Sequence, residues 1–135
     1  MNTMEELQAD PQRGLCVVVG GITALSGFLL LLFPKTMLDW LGAGTADPAP
    51  YLFGIVGMFM LIFGGLTIDA CRRPDPAPVV LFWATIQKIG AVIAMVVGLL
   101  TDVYGILALL VALFDAVSAL ILWALWRREA MRQVP

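Results

Sequence analysis

The chain has 135 residues, 61% of them apolar and only 13% charged, with a mean hydropathy of +0.94, far from the ~45–50% apolar and ~25% charged of soluble domains. This is the composition of an integral membrane protein. A formal net charge of −2 without a basic tract argues against nucleic acid as a partner, and the absence of histidine removes the commonest metal ligand and proton shuttle and the usual haem ligand.

The stretch 1–13 carries Glu5, Glu6 and Asp10, the wrong charge for the start of a signal peptide. The first apolar run is therefore expected to be a retained membrane helix from Leu15. A bilayer core ~30 Å thick needs about 20 apolar residues rising ~1.5 Å each, and four segments meet that length, at 15–33, 52–70, 79–100 and 103–126. They fill the chain, so 1–135 reads as one all-α, four-span domain, an antiparallel helix bundle. After the first span, 35–42 reads as a short helix lying in the membrane interface, with Pro34 at its start, Met37, Leu38, Trp40 and Leu41 as its apolar positions, and Gly42 as its stop.

Asp47-Pro48-Ala49-Pro50 precedes the second span, and Asp75-Pro76-Ala77-Pro78 precedes the third. The residues after the two copies do not match, so the string is helix-start chemistry used twice rather than a duplication. Thr101-Asp102 must break the last apolar stretch, because one helix from 79 to 126 would be roughly 70 Å long, more than twice the membrane's thickness.

With four spans, Arg13, Arg72, Arg73, Arg127, Arg128 and Arg132 share one side, and the other side holds Lys35. This bias predicts that both termini face the cytoplasm. The aromatics give the same topology: Trp83, Trp123 and Trp126 fall at one set of span ends, Trp40, Tyr51 and Tyr104 at the other, as interfacial belts do.

Each span carries small residues at helical spacing, which let membrane helices approach one another. They are Cys16, Gly20, Thr23 and Gly27 in the first, Gly54, Gly57, Gly64 and Gly65 in the second, Gly90, Ala94 and Gly98 in the third, and Ala108, Ala112, Ala116 and Ala119 in the fourth. Two ionisable residues lie deep in the spans, Lys88 and Asp115, each costing at least ~2.5–3.5 kcal/mol to insert unless compensated. Lys88 lies 13 residues before Thr101 and Asp115 lies 13 after Asp102, so an antiparallel hairpin puts them at one depth, with Thr85, Gln87 and Ser118 as neighbouring polar groups. The pair can serve two ends: mutual neutralisation that fixes the hairpin's register, or a polar cavity that binds a substrate, ion or proton.

Asp69 precedes Arg72 and Arg73 by three and four residues, a surface ion-pair spacing. Cys16 and Cys71 both map to the cytoplasmic end. Membrane oxidoreductases with four helices depend on closely spaced cysteine pairs, and none is present here, so free thiols are expected on that reducing side. The methionines read as packing. No phosphate loop, nucleophile elbow or paired-carboxylate site is visible, and no cofactor, metal or enzymatic activity is expected.

The string Tyr51-Leu52-Phe53-Gly54-Ile55-Val56-Gly57-Met58, continued by Phe63-Gly64-Gly65-Leu66, Arg73-Pro74 and Trp83, Ile86 and Lys88, resembles the small four-span bacterial membrane proteins of the BphX-like family, and more loosely the DoxX-like group. The resemblance covers all four spans and implies a bacterial inner-membrane setting. It supplies no site residues. Small multidrug transporters share the span number, but they need a glutamate in the first span, which here has no acid. The expectation is a non-enzymatic inner-membrane accessory or scaffold subunit that contacts other membrane proteins or further copies of itself. The alternative is a carrier or binder of an apolar or aromatic small molecule centred on Lys88 and Asp115.

Overall fold

The computed structural model describes residues 10–73 and 76–132, and the described residues form helices without any strand. The helices are α1 (Pro11–Leu32), α2 (Pro34–Trp40), α3 (Ala49–Arg72), α4 (Pro78–Leu100) and α5 (Leu107–Arg132). The first four each carry proline in the opening positions, where the missing N–H is no loss and φ is already helical. Of the five, α1, α3, α4 and α5 are long and apolar enough to cross a membrane. Large apolar side chains such as Leu25, Phe59, Ile93 and Leu120 point outward, a surface suited to lipid rather than water.

Three helix starts differ from the sequence expectation by three residues or more, α3 by opening at Ala49 rather than 52. Helix α1 begins at Pro11 rather than Leu15, because Asp10 caps it by accepting a hydrogen bond from the Arg13 N–H. Helix α5 begins at Leu107 rather than 103, because 101–106 make the turn and the Gly105 N–H donates to the Leu41 carbonyl at 2.6 Å. Helix α2 ends in paired bonds, Ala43 N–H to the Leu38 carbonyl and Gly42 N–H to the Asp39 carbonyl, with Gly42 at φ 71°. This is a Schellman stop.

Packing joins the long helices in two antiparallel pairs, α1 with α3 and α4 with α5. The α1–α3 seam rests on Gly20 and Gly27 facing Gly64 and Gly57, seven residues apart on each helix. A Cβ on Gly27 would stand 2.5 Å from the Gly57 carbonyl oxygen, and one on Gly64 would stand 2.6 Å from that of Gly20. Backbone touches backbone along this seam, and the seven-residue step keeps it aligned. In the other pair, Ala108, Ala112 and Ala119 are buried, and Gly98 lies under the Tyr104 ring.

The expected small-residue stripes are therefore used unevenly. Gly65 and Gly90 face open space, Gly54 only grazes the Leu31 carbonyl oxygen, and Ala94 is exposed. The two pairs meet in a core of Cys16, Val19, Cys71, Leu81, Ala84, Leu122 and Leu125, at the end where α1 starts and α5 finishes. At the opposite end Gly105 rests on Leu41 and Gly42.

Candidate functional site: a buried ion pair

Lys88 lies ten residues into α4, ~15 Å along its axis, and the antiparallel partner α5 brings Asp115 to the same level. Lys88 Nζ donates to Asp115 Oδ1 at 2.5 Å, with the two side chains only 3% and 6% exposed. The ammonium also lies 4.9 Å from the centre of the Phe114 ring, whose face attracts a cation. Opposite charges in contact offset each other's desolvation, whereas either alone would be strongly destabilising.

The other expected members of the cluster play lesser parts. Thr85 is buried but its hydroxyl donates to the Leu81 carbonyl one turn back, at 2.8 Å. Gln87 is half-buried, and Ser118 is buried one turn beyond Asp115. Among the described residues no buried side-chain nitrogen or oxygen lacks a hydrogen-bond partner. Among the described residues, one apolar crevice of about 230 Å³ lies beside Phe63, Leu66 and Trp83, and another of about 220 Å³ lies beside Leu31, Pro34 and Tyr51. Neither is lined by Lys88 or Asp115. Chemically, the geometry lets the two charges neutralise each other at one level of the α4–α5 hairpin.

A second polar cluster, which the sequence reading missed, closes the end where the two helix pairs meet. Arg128 donates to both carboxylate oxygens of Asp10, to Gln12 Oε1 at 3.0 Å and to Glu129 Oε1 at 2.7 Å. Arg132 adds two 3.2 Å bonds to Glu129, whose side chain is buried. Arg13 reaches across to the Cys71 carbonyl with bonds of 3.1 and 2.9 Å and also donates to the Arg73 carbonyl. The Arg128 guanidinium holds the Asp10 carboxyl below the usual carboxylate range. The signal available in the sequence was Asp10-Pro11, a cap followed by a first-turn proline. Asp69 pairs with Arg73 at 2.6 Å on the surface and leaves Arg72 aside.

Cys16 and Cys71, expected as free thiols at one end of the spans, are free and fully buried, and both belong to the core cluster there. Among the described residues no group of three or more histidines, cysteines or acids is placed to hold a metal ion. Comparison with known proteins gives no match to any family model, curated protein or solved structure.

Proposed function

We propose that the chain is a non-enzymatic accessory or scaffold subunit of a bacterial inner membrane, crossing it four times as an antiparallel bundle with both termini in the cytoplasm. The arginine-rich end with Trp83, Trp123 and Trp126 supports this orientation, and the resemblance to the BphX-like family supports the setting. The observation that carries the scaffold reading is the unspent glycine. Gly21, Gly65 and Gly90 meet nothing within 4 Å, while Gly20, Gly27, Gly57 and Gly64 are consumed inside the α1–α3 seam. A glycine on an outer helix face lowers helix propensity and fills no internal contact, yet it offers another membrane helix a close approach.

Native mass spectrometry of the protein extracted from its own membrane in mild detergent tests this reading. A second membrane subunit in fixed stoichiometry, lost in Gly90→Leu while the melting temperature holds, is the expected result. The chain alone, with no second subunit, overturns it.

The second reading, a carrier of an apolar or aromatic molecule, rests on the Lys88–Asp115 pair lying deep within its spans. Uptake into proteoliposomes that disappears with Asp115→Asn would move the assignment to that reading.

A further inference from the structure

The register of the α1–α3 seam carries a consequence for the two cysteines. A Cβ on Gly27 would meet Met60, and one on Gly57 would meet Leu30, so these positions oppose each other across the seam. Eleven residues toward the arginine-rich end on each helix, about three turns and hence on the same face, Gly27 and Met60 become Cys16 and Cys71. Both cysteines are fully buried members of one cluster at this seam, and the Arg13 guanidinium, on the same turn of α1 as Cys16, bonds the Cys71 carbonyl. Glycine-driven backbone contact a few turns away keeps the helix axes close. That closeness suits a disulfide, whose Cα atoms stand only ~4.4–6.8 Å apart, better than a metal ion inserted between the sulfurs.

We propose that Cys16 and Cys71 are an oxidative modification site, a dithiol that closes to an intramolecular disulfide on reaction with a lipid-class organic hydroperoxide. The choice of oxidant comes from the surroundings. Both thiols are fully buried, and apart from the Arg13 guanidinium on the Cys71 carbonyl their neighbours Val19, Leu81, Ala84, Leu122 and Leu125 are apolar, which favours an oxidant that dissolves in an apolar medium. In the first step one thiol sulfur attacks the terminal peroxide oxygen. The O–O bond breaks, the thiol proton passes to the leaving oxygen, and the products are a sulfenic acid and an alcohol. In the second step the other thiol attacks the sulfenic sulfur. The S–S bond forms, the S–O bond breaks, and hydroxide leaves as water with the second thiol's proton. Two thiols are oxidised by two electrons and one hydroperoxide is reduced. The bond ties α1 to α3 beside the core where the two helix pairs meet, and a small thiol reverses it by exchange.

The test uses the full chain in lipid nanodiscs, treated with cumene hydroperoxide, quenched, unfolded and alkylated. The untreated protein is expected to take up alkylating agent at both cysteines. The treated protein takes up none, loses the mass of two hydrogen atoms, stays monomeric, and regains both reactive thiols after reduction. In Cys71→Ser the remaining Cys16 is expected to stop at a sulfenic acid that dimedone traps. The proposal is overturned if both thiols of the wild type stay alkylatable under treatment that oxidises the detergent-unfolded chain. It is equally overturned if the product is a cross-linked dimer, or a sulfinic or sulfonic acid without the bond.

Discussion

Gly27 and Gly57 share a backbone-to-backbone contact in which a Cβ on Gly27 would lie 2.5 Å from the Gly57 carbonyl oxygen, and a Cβ on Gly57 would lie 2.6 Å from that of Gly27. Helix backbones cannot yield as a flexible side-chain end can. Gly27→Ala and Gly57→Ala should each cost at least the ~1–3 kcal/mol of an overpacked core, read as a lower melting temperature in detergent. Gly65→Ala and Gly90→Ala, which meet open space, should leave it unchanged or raise it by the better helix propensity of alanine. Equal losses at all four positions would contradict the seam.

For the Lys88–Asp115 pair, each single change strands a charge in an apolar interior. Lys88→Leu and Asp115→Leu should each destabilise by ~3–5 kcal/mol, and the double change should recover most of that loss, since well-packed apolar residues replace a buried ion pair at little cost. Unfolding by titrated dodecyl sulfate measures all three. A double variant as damaged as the singles would mean that the two charges act separately.

The pairing of Lys88 with Asp115 was legible from counting alone, because equal distances from Thr101 and Asp102 fix equal depth in any tight hairpin. The sharing of Gly98 with Tyr104, and the idleness of Gly90 beside it on the same helix, was not. A small-residue stripe states that a helix can be approached but not by what. That Cys16 and Cys71 lie at one end was legible, but their burial in one cluster was not, because it depends on the register of two helices separated by α2 and its loops, and the glycines set that register only once it is known which of them face each other. Asp10 and Glu129 were overlooked because both flank the apolar runs that mark the spans, where charge is ordinarily left to solvent.

At the α4–α5 turn, Asp102 adopts φ 55°, with the Val103 N–H donating to the Gly98 carbonyl at 2.8 Å. It occupies the position that Gly42 fills at the end of α2. A left-handed conformation costs an L-residue ~1–2 kcal/mol, less for aspartate than for branched side chains. Asp102→Gly should therefore preserve or raise the melting temperature, and Asp102→Val should lower it by an amount equivalent to ~1–2 kcal/mol. A valine variant as stable as the wild type would show that the turn takes another conformation.

The Asp10–Arg128 contact ties the start of α1 to the end of α5 and gives the fold an acid-sensitive clasp. Arg128 lowers the Asp10 carboxyl below its ordinary value, so the unfolded chain takes up the proton at a higher pH than the folded one. The stabilisation is fully present above the ordinary aspartate value of ~3.9 and is lost as the pH falls through the lower folded value. Asp10→Asn isolates this contribution, because asparagine caps a helix as well as aspartate does while carrying no charge for Arg128. The wild type should melt above Asp10→Asn by a constant margin from pH 7 down to about pH 4.5, and the margin should close below about pH 4. A margin that persists unchanged into stronger acid would show that it does not come from the Asp10 charge and would remove the ion pair from the stabilisation.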